Sequence, residues 1–315
     1  MKRFVRFTTC IAISAASVAT APAHAHAQRD RDRDRDRTHV DSTFAFEKGS
    51  WVDVSIASGE VIVTGWTRPE AKVAASTDRG WIDAQLTSHR ITVQTRSDRG
   101  RSGPARIEIM VPIGTRVQAT SASGNIRITA TDGEVEASSA NGTIEILGAS
   151  ERISAQTASG KVHAAKLRGR TKLGTISASI EAEDIIGDLK VGTVSGRITL
   201  TGIKSSHVGV ESVSTSLNYA GSIDPAGTYE FSTHSGNIHL EIPDNSGAEL
   251  ALETFSGRIS SAFPITLQPG DISAMARHNK KMNFSIGKGG AQITASTFSG
   301  NIIIDKAGHT DREEN

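Results

Sequence analysis

Residues 121–147 read SASGNIRITATDGEVEASSANGTIEIL. The Ser123-Gly124-Asn125 at the head of this stretch returns as Asn141-Gly142-Thr143, Ser159-Gly160-Lys161, Ser177-Ala178-Ser179 and Ser195-Gly196-Arg197, each 18 residues after the last. Thr215, Gly236 and Gly257 carry the glycine column on at steps of 19, 21 and 21. Gly300 lies 43 further along, a distance of two coils, and the missing coil is expected near Asn279 to Gly287.

The columns around the glycine are consistent. Two residues after it stand Ile126, Ile144, Val162, Ile180 and Ile198, and four after it Ile128, Ile146, Ala164, Ala182 and Leu200. Between them lie Arg127, Glu145, His163, Glu181 and Thr199. This period of two marks a strand with one buried face. A helix needs apolar spacings of three and four, which do not occur here. A second column (Gly133, Glu151, Gly169, Gly187) is offset by nine residues, so one coil is strand, corner, strand, corner. Nine residues cannot fold alone, but stacked coils pair each strand with its equivalent one coil along. The expected fold is all-β: a two-sheet β-solenoid with coils of 18–21 residues over 115–305, about 45–50 Å long at the ~4.8 Å strand spacing, behind an N-terminal β cap at 40–114.

The composition fits a thin core. AVILMFWYC residues make up 37% of the 315-residue chain and aromatics only 4%, while glycine numbers 30. Lysine and arginine total 35 against 34 acids, which argues against a nucleic-acid partner.

Before the glycine stands a hydroxyl column that includes Ser121, Ser139, Thr157, Thr175 and Thr193, followed by a corner column. The corner pairs are Ser123 and Gly124, Asn141 and Gly142, Ser159 and Gly160, Ser195 and Gly196, Ser235 and Gly236, Ser256 and Gly257, and Ser299 and Gly300. Strict alternation places both columns inside, where small hydroxyls bond one another and the corner backbone. The glycine supplies a positive φ or close backbone approach. Between the two columns runs a third, small at Ala122, Ala140 and Ala158 and apolar at Ile176, Val194, Val213, Phe255 and Phe298. Two readings stand: an exposed interaction stripe, or a bulge that turns the column inward.

Residues 1–27 have the pattern of a secretory signal peptide: Lys2, Arg3 and Arg6, an apolar stretch from Phe7 to Ala21, then Ala-His-Ala cleavage sites. The apolar run is too short to span a bilayer, so no integral membrane segment is expected after cleavage. Cys10, the only cysteine, lies inside this leader. Residues 28–39 form a disordered Arg-Asp linker, because alternating charges supply no core. A polar tail occupies 306–315. The expected location is the periplasm, the cell surface or the medium.

With Ser58-Gly59-Glu60-Val61-Ile62-Val63, Val111-Pro112 and the serial Ser-Gly-x-Ile units, the chain resembles a bacterial β-strand-repeat family of adhesin-like proteins, a domain of unknown function, over about 44–305. The resemblance implies an exported β-solenoid with a role in surface adhesion. It brings no catalytic residues.

No catalytic constellation appears. The corners lack the carboxylates of a calcium β-roll, His163 and His239 are four coils apart and cannot share zinc, and Gly192-Thr193-Val194-Ser195-Gly196 has its serine one place late for a nucleophile elbow. No catalytic, cofactor or metal residue is therefore assigned. The expected function is a non-enzymatic adhesin or cell-envelope scaffold, whose partner is a surface or envelope protein or glycan. The alternative is a glycan-binding or glycan-cleaving β-helix protein, carried by Trp51, Trp66 and Trp81 in the cap or by the carboxylates Glu181 and Glu183 with Glu145 nearby.

Overall fold

In the computed structural model the chain separates into two units, Met1–Asp36 and Arg37–Asn315. The described residues are 38–97, 100, 102–264, 266–267 and 280–307. The leader, nearly all of the Arg-Asp linker and the tail beyond residue 307 lie outside them.

The second unit is a β-solenoid whose strands run from β1 (His39–Ala45) to β21 (Ile302–Lys306). On one face β8 (Val135–Ser139), β10 (Arg152–Thr157), β12 (Arg170–Ser177) and the start of β14 (Leu189–Ser235) stack in parallel, with Val135, Ile153, Thr171 and Leu189 in register. On the other, β9 (Ile144–Leu147), β11 (Val162–Ala165), β13 (Ile180–Glu183) and β14 align Ile144, Val162, Ile180 and Ile198. These isoleucines and Val162 are 0–1% exposed. A slip of one residue would turn every one of them to solvent, so the apolar pattern and the 18-residue period enforce the same register.

Coil length and core size change together. Past Gly196 the coils lengthen, and the wider interior is filled by Tyr219, with the ring centroids of Tyr229 and Phe231 at 6.3 and 5.2 Å from its own. The Tyr229 hydroxyl donates to the Ser205 carbonyl at 2.6 Å and accepts from the Asp224 amide at 2.8 Å. Burial pushes both tyrosine hydroxyls above their ordinary pKa.

Both ends of the stack are out of sequence order. β2 (Trp51–Trp66) is itself a coil, paired on one side with β7 (Arg116–Thr129) and on the other with β5 (Arg90–Arg96) and β6 (Ala105–Pro112), all parallel. The antiparallel strands β1, β3 (Glu70–Thr77) and β4 (Trp81–Leu86) close that end. At the other end β20 (Ala291–Ser299) pairs in parallel with both the tail of β14 and β16 (Ala248–Ser256), while β21 pairs with both β15 (Ile238–Ile242) and β17 (Ile259–Ser261). The Gly300 coil therefore fills the slot between the Gly236 and Gly257 coils rather than following them. The coil expected near Asn279 to Gly287 is instead β19 (Lys280–Ile286), antiparallel to β16. Antiparallel pairing covers an edge that parallel coils would leave open to strand addition.

The corner differs from strict alternation. Ser121, Ser139, Thr157, Thr175 and Thr193 are buried, but Ser123, Asn141, Ser159, Ser256 and Ser299 are exposed and Ser195 and Ser235 half-buried. Two consecutive residues point outward where the chain turns, and Gly124, Gly142 and Gly160 point inward. A Cβ on Gly142 would overlap the carbonyl of Gly124, and one on Gly160 that of Gly142. The hydroxyls bond backbone rather than one another. Thr157 Oγ1 donates to the Gly142 carbonyl at 3.2 Å and accepts from the Gly160 amide at 3.1 Å, and Ser139 and Thr175 repeat the donation to Gly124 and Gly160.

Candidate functional site

The outward corner column is exposed, which decides between the two readings of it. Eight large apolar side chains are exposed among the described residues, and Ile176, Val194, Val213, Phe255 and Phe298 are five of them. In stacking order the column runs Ile176, Val194, Val213, His234, Phe298, Phe255, because the interleaved coil brings Phe298 between His234 and Phe255. The three rings stack nearly parallel, with centroids 5.0 Å apart from His234 to Phe298 and 4.8 Å from Phe298 to Phe255. Offset stacking of this kind contributes about 0.5–1.5 kcal/mol per pair beyond burial. An exposed line of large apolar side chains, broken only by His234, marks a contact site.

Beside the aliphatic end of the stripe lies a trough of ≈ 460 Å³. Its floor is Gly174 and Gly192, in register on adjacent coils, with Ile176 on one side and Lys172 and Lys190 on the other. Lys190 pairs with Glu211 at 3.5 Å. A second hollow of ≈ 500 Å³ shares Lys172, Lys190 and Glu211 and continues to Gly209 and Glu230.

The opposite sheet carries a ladder of charges. Arg127 donates to Glu145 at 2.7 Å, and His163 approaches Glu181 at 3.7 Å one coil further on. The hydrogen bond from Arg127 to Glu145 raises the arginine pKa. Thus Glu145 and Glu181 are separated by a histidine and face Arg127 and His163 rather than each other, and Glu183 is exposed beside them. His239 is not solitary either: its Nε2 lies 2.8 Å from Asp305 of the interleaved coil. Among the described residues no three His, Asp or Glu side chains converge to hold a metal ion.

The tryptophans form no platform. Trp51 and Trp66 occupy opposite ends of β2, and Trp81 stands exposed on β4. Trp66 lines a hollow of ≈ 640 Å³ with Phe46, Lys48 and Arg68, which neither of the others reaches. Arg68 already covers its ring at 5.0 Å.

Among curated proteins none matches this chain. Among solved structures it is similar to a candidate lipid-binding protein from Parabacteroides distasonis, at 10% identity over 85% of this chain and 96% of that one, with a TM-score of 0.41. A candidate adhesin from Bacteroides fragilis gives 10% identity, 84% and 96% coverage and a TM-score of 0.38. A candidate cell adhesion protein from Clostridium sporogenes gives 9%, 85%, 99% and 0.27. Likenesses of this size carry no functional argument. The family model of Toastrack DUF4097 matches residues 101–305, the stretch that holds the regular coils. With most of its length matched, this chain belongs to the Toastrack DUF4097 family.

Proposed function

We propose that this protein is an exported, non-enzymatic adhesin or cell-envelope scaffold that works through contacts along its solenoid. The observation that carries this reading is the stripe from Ile176 to Phe255, an exposed line of apolar side chains and one histidine held in register by the coils. A row of side chains at the strand spacing suits a repeating or extended surface better than a small substrate. The acids nearest a catalytic arrangement, Glu145 and Glu181, are engaged with Arg127 and His163. The leader pattern at 1–27 supports export.

Protease shaving of intact cells, with a blot for the chain and for a periplasmic control, tests the location. Loss of the band with the control intact is the result expected of an adhesin, and a deletion strain then loses attachment. Full protection would remove adhesion and leave the envelope scaffold. A polysaccharide screen repeated on Trp81→Ala tests the glycan alternative: saturable binding that this substitution abolishes would replace the present reading.

A further inference from the structure

The stripe has a direction. Its side chains grow along the stack, from Ile176, Val194 and Val213 to the rings of His234, Phe298 and Phe255. The small end adjoins the glycine-floored trough; the large end carries the stacked rings. The fold does not require those glycines. A Cβ on Gly174 would come no nearer than 3.8 Å to any atom and one on Gly192 no nearer than 3.9 Å. Neither residue has a positive φ. Glycine weakens a strand, and where the chain's own packing does not demand it, it marks close approach by something else. Lys172 and Lys190 flank the trough, Lys190 paired with Glu211, and Glu230 lies on the strand that carries His234.

Trough and rings thus lie on one face of one molecule. We propose that this face binds a second copy of the chain, antiparallel, about a two-fold axis that crosses the stripe between Val213 and His234. This rests on the stripe being a contact face, and it names the occupant. The operation sets Phe298 of each copy against Val194 of the other, and Phe255 against Ile176. The rings then lie along the Val194 and Ile176 edge of the trough, Ser296 and Glu253 lie over the bare backbone at Gly192 and Gly174, and Glu230 comes beside Lys190. Such a contact is isologous and closes at two copies. A two-fold axis along the stripe would instead set ring on ring and leave the lysines of the two copies on opposite sides of it. Six coils at ~4.8 Å and a width of about 20 Å give about 600 Å² per copy. The total of about 1,200 Å² sits at the lower edge of specific interfaces, which suits a reversible dimer.

The test is sedimentation velocity on the purified chain over a concentration series, with Cys10→Ala so that engineered thiols report alone. The expected result is a reversible monomer–dimer equilibrium. Phe255→Ser with Phe298→Ser should weaken it at least tenfold, as should Gly192→Leu, which fills the trough; both variants should keep the parent's strand circular dichroism and a cooperative unfolding transition. Val194→Cys with Phe298→Cys in one chain should give a covalent dimer on oxidation. Those two sites are three coils apart within a copy, about 14 Å, too far for an internal disulfide. A monomer at every concentration would overturn the proposal, including one that binds a polysaccharide. So would a dimer indifferent to the rings, or a disulfide formed by Phe298→Cys alone. The shaving experiment is unaffected by any of these outcomes, so the two readings fail separately.

Discussion

Thr254 donates a 3.0 Å hydrogen bond through Oγ1 to the carbonyl of Gly300, 46 residues further along the chain. Elsewhere the same bond reaches back 15 residues, as from Thr157 to Gly142. The corner geometry is thus conserved while the chain order is not. Thr297 completes the exchange with its own bond to the Gly236 carbonyl at 3.2 Å.

The interleaved coil should be as protected as the middle of the stack. The Ile302 amide donates to Arg258 and that of Ile238 to Asn301, so β21 is paired on both sides. Hydrogen exchange at Ile302 and Ile304 should match that at Ile198 and Leu200. Exchange as fast as a fraying terminus would mean that the coil does not hold its slot.

Glycines of two kinds should respond oppositely to alanine. Gly160→Ala drives a Cβ into the Gly142 carbonyl and should cost about 2–4 kcal/mol in urea unfolding. Gly174→Ala meets no close atom and should be neutral or stabilise by about 0.4–1 kcal/mol. Equal losses at both sites would show that the corner is no tighter than the outer face.

Removing the corner hydroxyl should be costly in proportion to burial. Thr157→Val leaves the Gly142 carbonyl and the Gly160 amide without this partner and should lose about 1–3 kcal/mol. Thr157→Ser restores the oxygen and should recover most of that loss. Chemical denaturation of the three chains decides the point.

Alkaline pH should unfold the protein through its tyrosines. The chain has two, Tyr219 and Tyr229, and burial raises both pKa values above the unfolded value of about 10. A neutral phenol favoured by the fold contributes stability that is intact below pH ~10 and declines as pH rises toward the folded pKa, because the unfolded state gives up its proton first. Tyrosinate absorbance should therefore appear together with loss of strand circular dichroism. Tyr219→Phe should flatten the alkaline decline. Tyrosinate formed in a fully folded chain would contradict the burial of both rings.

Much of the fold is legible in the chain because a repeat states its register many times over. The 18-residue step, the apolar columns at Ile126 to Ile198 and the absence of helical spacing lead directly to stacked parallel strands. The corner is less legible. Alternation predicts Ser123 and its equivalents inside, yet the turn places two residues outward in succession, a local bend that no period-two pattern contains. The site is legible only in part: the column from Ile176 to Phe298 is plain, but its exposure and its order are not. The tryptophans, charged with the glycan alternative, prove to lie apart.

By itself the sequence determined the coil and its register, because each is enforced by local alternation and a fixed period. Only the tertiary structure decided which coil neighbours which at the ends. The apolar columns of the Gly236, Gly257 and Gly300 coils are nearly interchangeable, so strand pairing does not distinguish their order. The closing antiparallel strand β19 occupies the outer edge of β16, which leaves the last coil the inner slot. That choice sets Phe298 between His234 and Phe255 and turns separated aromatic residues into one continuous stack.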